Sequence, residues 1–164
     1  MLRTERLVLR HLTRDDAPFV LQLINEPGWI ANIGDRGIRD LDGARGYIQR
    51  IAASYAANGY GLWAAALKDT GEPIGLCGLI KREGLEHSDV GYAFLERVWG
   101  HGYAREAAAA TLAHARDAIG LSKVLAITTP GNGRSIAVLE TIGMKGAGSI
   151  RLSGEARDSA LFTT

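Results

Sequence analysis

Apolar and polar residues alternate along "RLVLRHL", with Leu7, Leu9 and His11 on one face and Val8, Arg10 and Leu12 on the other, which predicts a strand. The period then lengthens. In "TRDDAPFVLQLIN" Phe19, Leu23 and Ile24 share a helical face, Thr13 can cap the first turn, Asp15 and Asp16 suit its dipole, and Pro18 comes early enough to be tolerated. Gly28, Gly34 and Gly37 predict an irregular segment, and a second helix is expected from Asp42 to Ala57 with Ala44, Ile48, Ile51 and Tyr55 on one face. "GLWAAAL" and "PIGLCGLIKR" read as strands joined into a hairpin by "KDTGE", and "HSDVGYAFL" as a third strand. Between Trp99 and Gly120, Ala104, Ala108, Leu112, Ala115 and Ile119 form a narrow apolar stripe that predicts a helix closed by Gly120. A strand in "SKVLAITT", a shorter helix in "NGRSIAVLETIGM" and strands in "GAGSIRL" and "DSALFTT" complete the order β-α-α-β-β-β-α-β-α-β-β. Hairpins joined to βαβ-like crossovers imply an α/β (α+β) fold with a mixed sheet flanked by helices.

Composition narrows the class. No linker, repeat or low-complexity block divides the chain, so residues 1–164 are read as one domain. A hydrophobic fraction of 46% with 23% charged residues is that of an ordinary globular protein. The formal net charge of +1 gives no reason to expect nucleic acid or an anionic membrane as partner. No apolar run approaches the ~18 residues needed to span a bilayer, and "MLRTERLVLRHL" lacks the apolar centre of a signal peptide. A cytoplasmic location is the resulting expectation. Cys77 stands alone, and His11, His87, His101 and His114 have no ligand spacing, so no disulfide framework and no metal are expected.

Candidate chemistry concentrates where "WGHGYAREAAAATLAHARDAIG" begins. Gly100 and Gly102 stand directly before a strong helix former. The first-turn amides of a helix have no partners within it, and glycines carry no Cβ to keep a ligand away. Those donors and the positive end of the macrodipole suit a phosphate, with Arg105 adding charge, although a plain turn into a helix would use the same glycines. No Gly-Lys-Ser/Thr follows, which excludes a P-loop, and Arg105 occupies the third small position of a dinucleotide fingerprint.

"DVGYAFLERVWGHGYAREA", from Asp89 to Ala107, resembles the coenzyme A-binding signature of the GNAT superfamily of N-acetyltransferases, and more narrowly its RimJ/RimL-type branch. "TERLVLRHLTRDDA", "TGEPIGLCGL" and "NGRSIAVLETIGM" resemble the family's N-terminus, central hairpin and second conserved helix, in the expected order. The resemblance implies a mixed, mostly antiparallel seven-stranded sheet with about four flanking helices. It implies acetyl-CoA as cosubstrate, with the amides of Gly100, His101, Gly102, Tyr103, Ala104 and Arg105 on its diphosphate. Trp99 is then a packing residue and Glu106 a structural one. Tyr92, Ala93 and Phe94 match the strand whose backbone runs beside the pantetheine arm, in a gap opened where this strand splays from that of Lys123 to Thr128. An amide there would serve the thioester oxygen as it turns anionic.

Aminolysis of a thioester needs a neutral amine, and an alkyl amine with a pKa of roughly 10 must lose a proton at neutral pH. The family often places a tyrosine near the sulfur as general acid; Leu139 stands at that position here. Asn132 matches a residue that binds coenzyme A or pantetheine, and its position equally suits a helix N-cap. Ser135 matches a serine that meets the sulfur, and is the candidate donor to the departing thiolate. Asp89 is the candidate base; a strand-end surface charge is its alternative, and Asp158 is a second candidate. Glu26, Asp35, Asp40 and Asp42 in the loops are compatible with an amine-bearing acceptor. The implied activity is acetyl transfer to a primary amine, of a protein N-terminus or a small molecule, with a homodimer expected at family level only. A non-catalytic acyl-CoA-binding module, motivated by Leu139, and a nucleotide-binding domain are the alternatives.

Overall fold

The computed structural model describes residues 1–164. Two short strands, β1 (Leu2–Arg3) and β2 (Leu7–Arg10), lead to a 3-10 turn at Arg14–Asp16 and helix α1 (Ala17–Ile24). Thr13 and Asp16 form a reciprocal capping box, and Asp16 also pairs with Arg10 at 2.8 Å, so the acidic first turn is pinned to the sheet. Phe19, Leu23 and Ile24 are buried as the period predicts, together with Val20.

The segment read as irregular contains a helix, α2 (Pro27–Asn32). Pro27 starts it, and Gly28 sits inside it for close approach: a Cβ at Gly28 would run into the indole of Trp99. Helix α3 (Leu41–Asn58) follows, capped by the Asp40 carboxylate accepting from the Gly43 amide at 2.7 Å and ended by Gly59 at φ +78°. Ala44 and Ile48 are buried on it, and Ile51 and Tyr55 half-buried.

Strands β3 (Leu62–Leu67) and β4 (Pro73–Ile80) form the expected hairpin, and β5 (Asp89–Phe94) pairs with β4 along its full length. Helix α4 (Tyr103–His114) runs into a π-helical turn at Ala115–Ile119, ended by Gly120 at φ +81°. Its buried face is centred on Ala107, Ala108, Thr111 and Ala115, with Ala104, Leu112 and Ile119 at the half-buried edge. Alanines occupy both faces of the helix, so periodicity alone left its rotation loose. Strand β6 (Leu125–Thr128), helix α5 (Gly133–Thr141) and strands β7 (Lys145–Ile150) and β8 (Ser159–Thr163) complete the chain.

The sheet order is β1-β2-β3-β4-β5-β6-β8-β7, antiparallel except between β5 and β6. It has 8 strands and is accompanied by five helices. The family expectation is thus extended by the two-residue β1 and the six-residue α2. Leu7, Leu9, Leu76 and Leu79 on the sheet and Val20, Leu23 and Ile24 on α1 belong to one core cluster. No helix is long and apolar enough to cross a membrane.

Candidate active site

The parallel pair is where the sheet opens. β5 and β6 meet at one register position, Asp89 against Leu125, where the Leu125 amide donates to the Ser88 carbonyl at 2.9 Å. Beyond it the strands part. The Leu95 amide donates to Ile74 of β4 at 2.9 Å, so strand alternation turns the Ala93 amide toward β4 and the Tyr92 and Phe94 amides into the gap. The Phe94 carbonyl, on the gap side, accepts the Trp99 indole N–H at 2.8 Å. Trp99 is therefore a packing residue, wedged against Gly28, with the Arg134 guanidinium 5.1 Å from its ring centroid.

At the far end of β5 a short turn, Glu96–Val98, leads to Gly100 and Gly102, at φ +81° and +80°. Glycine tolerates this left-handed conformation without penalty. The amides from Gly100 to Arg105 have no acceptor in the surrounding loop or side chains, and the helix ladder starts with Glu106 donating to the Gly102 carbonyl at 3.0 Å. Six consecutive unengaged amides at the start of a 12-residue helix fit a diphosphate. All six residues line one cavity of about 860 Å³, which continues along the β5–β6 gap past Tyr92, Ala93, Phe94, Asn132 and Ser135.

Glu106 is structural. Its carboxylate accepts from the Thr4 hydroxyl at 2.6 Å and from the Arg6 amide and Nε at 2.7 Å each, while Arg6 also donates to the His101 carbonyl at 2.8 Å and lies 4.4 Å from the Tyr103 ring centroid. The strand turn before β2 thereby holds the glycine loop in place. Burial pushes the Glu106 carboxyl up, but these hydrogen bonds outweigh it and hold the group below the usual glutamate range.

Ser135 and Tyr92 come together. The Tyr92 hydroxyl donates to the Ser135 carbonyl at 3.1 Å and lies 3.0 Å from Ser135 Oγ. Burial pushes the Tyr92 phenol up to about 12, so it stays protonated at neutral pH. The sequence carries no sign of this contact, because nothing in strand periodicity shows which helix a tyrosine tip will reach. Leu139 is 1% exposed within the core. The Asn132 carboxamide oxygen accepts from the Ser135 amide at 3.2 Å, which makes it the N-cap of α5; its amide nitrogen has no protein partner and the residue lines the cavity.

Asp89 is 1% exposed, not a surface charge, and both its oxygens lie 3.0 Å from Arg82 Nε. Burial raises its carboxyl above the usual aspartate range, with Arg82 opposing. Asp158 pairs with Arg151 at 2.8 Å on the exposed surface, away from the cavity lining. The loop carboxylates read as compatible with an amine are all engaged. Asp35 pairs with Arg39 and Asp42 with Arg45, each at 2.7 Å, and Asp40 caps α3. Glu26 accepts from the Glu96 amide at 2.8 Å while Glu96 accepts from the Gly28 amide at 2.5 Å. With Thr129 donating to the Asn32 carbonyl at 3.0 Å, both ends of α2 are tied across the mouth of the gap.

An open parallel strand pair whose gap runs into a glycine loop and the unengaged start of a helix fits a long ligand with a diphosphate at one end, and the family match makes it the acetyl-CoA site of an acetyltransferase. Residues 6–145 match the acetyltransferase (GNAT) domain, and the chain belongs to that family. It is 35% identical over 154 residues to YkkB of Bacillus subtilis strain 168, spanning 92% of this chain and 88% of that protein. Among solved structures, an acetyltransferase from Agrobacterium tumefaciens C58 superposes with a TM-score of 0.84 at 29% identity, over 99% of this chain and 92% of that one. RimL, a ribosomal L7/L12 α-N-protein acetyltransferase in complex with coenzyme A, shares the fold with a TM-score of 0.83 at 17% identity, over 98% and 94% of the chains.

Proposed function

We propose that the chain transfers the acetyl group to a primary amine by direct aminolysis, with the thioester lying in the β5–β6 gap. The observation that carries this reading is the single-residue contact between β5 and β6, which leaves the Tyr92 and Phe94 amides free beside a cavity that reaches the glycine loop. An amide there is worth most when the thioester oxygen becomes anionic, since it is fixed in advance and shielded from bulk water. The amine nitrogen attacks the thioester carbon, and the tetrahedral species collapses by breaking the carbon–sulfur bond. Asp89 takes the proton from the attacking amine through water, as its raised proton affinity suits. When Tyr92 turns its proton to Ser135 Oγ, the serine hydroxyl can hydrogen-bond the departing thiolate, and the proton the thiol finally carries is balanced by the one Asp89 took from the amine and returns to solvent. The hydroxyl pair thus supplies from β5 and the first turn of α5 what Leu139 lacks. The Asn132 amide nitrogen is available to the pantetheine arm.

The experiment is thermal unfolding with acetyl-CoA, NAD and ATP at equal concentration, followed by thiol release over a panel of primary amines. At ~100 times its dissociation constant a ligand adds about 2.7 kcal/mol. Stabilisation by acetyl-CoA alone, with thiol release that depends on the amine, is the expected result. Stabilisation without amine-dependent release above buffer would make the chain a binding module and refute the transfer.

A further inference from the structure

Arg36 and Arg82 bring guanidinium donors without full partners to the cavity wall, against one carboxylate that has no cationic partner, Glu26. Arg36 lines the cavity and makes no ion pair or hydrogen bond to any other residue of the chain. Arg82 spends only its Nε on Asp89, so both Nη groups keep their donors free, and its side chain is 31% exposed. Tyr47 lines the same cavity, edge-on to Trp29 at 6.5 Å and with Arg50 5.6 Å from its ring centroid. Burial raises the Tyr47 phenol against the pull of Arg36, Arg50 and Arg82, so all three cations act on its hydroxyl. Glu26 is the other carboxylate in the cavity wall, and it accepts from the Glu96 amide.

Resting on the aminolysis reading above, we propose that the acceptor is a small amine that carries a carboxylate, bound by Arg36 and the free Nη edge of Arg82 beside Tyr47. Guanidinium groups match carboxylates in shape and charge, and two of them in a part-buried cleft discriminate strongly against a neutral isostere. Arg82 is anchored at Asp89, three strand positions or ~10 Å from Tyr92, so amine and carboxylate are separated by a short chain.

The test compares acids with their carboxamides at saturating acetyl-CoA: β-alanine, γ-aminobutyrate, aspartate and glutamate, and short peptides beginning with Asp or Glu against Asn or Gln. An amide lowers the basicity of a nearby amine and by itself favours the neutral member, so a preference for the acid has to come from the protein. Acids are expected to exceed amides in kcat/KM by about tenfold or more. Arg36→Gln removes most of that ratio through KM, and Arg36→Lys restores part of it. Arg82→Lys, which keeps a cation beside Asp89, also lowers the ratio. Preference for free acids or for acidic peptides identifies the source of the carboxylate. Amides acetylated as well as acids, or a ratio that survives both Arg36→Gln and Arg82→Lys, would overturn the proposal while transfer to amines stands. Acids that raise the melting temperature of the coenzyme A complex above the amides, with no amine acetylated, would uphold the anion site and sink the transfer reading. The absence of both binding and turnover for every acid would overturn the proposal.

Discussion

Glu106→Ala tests whether the carboxylate at the start of α4 builds the site or does chemistry in it. The side chain is 15% exposed and accepts three hydrogen bonds, from Thr4 Oγ1, the Arg6 amide and Arg6 Nε. A hydrogen bond to a charged group is worth ~1.5–3 kcal/mol on truncation. The Arg6 side chain is 40% exposed, so its share is discounted to at most ~1 kcal/mol. Because the three bonds share one carboxylate and are not additive, the net loss is about 3 kcal/mol. At ~2–4 °C per kcal/mol for a chain of this size, the melting temperature falls by about 6–12 °C. Release of Arg6 also frees the His101 carbonyl and the Tyr103 ring, so the KM for acetyl-CoA rises while kcat is largely retained. The sign of the pH dependence follows from the lowered carboxyl: its stabilisation is fully present above the ordinary glutamate pKa of ~4.3 and is lost as pH falls through the lower folded value. Glu106→Gln therefore flattens the acid side of the stability profile. Urea unfolding across pH, with steady-state kinetics on the same preparations, reads all of this. A variant with wild-type stability and KM but no turnover would refute the structural assignment and make Glu106 catalytic.

Three further outcomes are expected. Gly102→Ala forces a Cβ into a left-handed position at φ +80°, 3.4 Å from Arg6 Nη2, and should weaken acetyl-CoA binding by about tenfold by isothermal titration; unaltered affinity would break the link between that conformation and the diphosphate. Tyr92→Phe and Ser135→Ala should each lower kcat with little change in the KM for acetyl-CoA, and the double variant should lose less than the two single losses combined, because the hydroxyls act as a pair; wild-type kcat in both would leave protonation of the thiolate to water. Asp89→Asn should lower kcat and remove an acid limb lying above the usual aspartate range, since burial raises the group and only the ionised form takes a proton; a retained limb would assign it to another group.

Much of the fold was legible because most of its strands are apolar runs bounded by turn residues and its longest helix, α3, is capped at both ends, by Asp40 and Gly59. What was missed depends on contacts between distant segments. α2 was hidden because Gly28 reads as a breaker, yet the glycine is there so that the helix can lie against Trp99, 71 residues away in sequence order by residue number. β1 has two residues and exists only by pairing with β2. In the site, the glycine loop was legible since a helix N-terminus advertises its own donors. The Tyr92 hydroxyl was not: strand spacing gives the face of a residue, never the Ser135 it meets across the gap.

Which of the loop carboxylates are free to act on a ligand is not legible in the sequence. Asp35, Asp40 and Asp42 lie within a few residues of one another, and as a list they suggest an acidic pocket for an amine. Asp35 and Asp42 are paired with Arg39 and Arg45, and Asp40 accepts the Gly43 amide as the cap of α3. Nearby opposite charges cancel at distances beyond their own separation, so such a group contributes little to the field in the cleft. Arg36, one residue from Asp35, makes no such pair, and Arg82 is matched by Asp89 on one edge only. The cavity wall therefore offers these unmatched donors together with the carboxylate of Glu26. On the proposed reading an amine alone gains nothing from Arg36 and Arg82, whereas an amine that carries a carboxylate is held by them at that end, with its nitrogen turned toward the thioester.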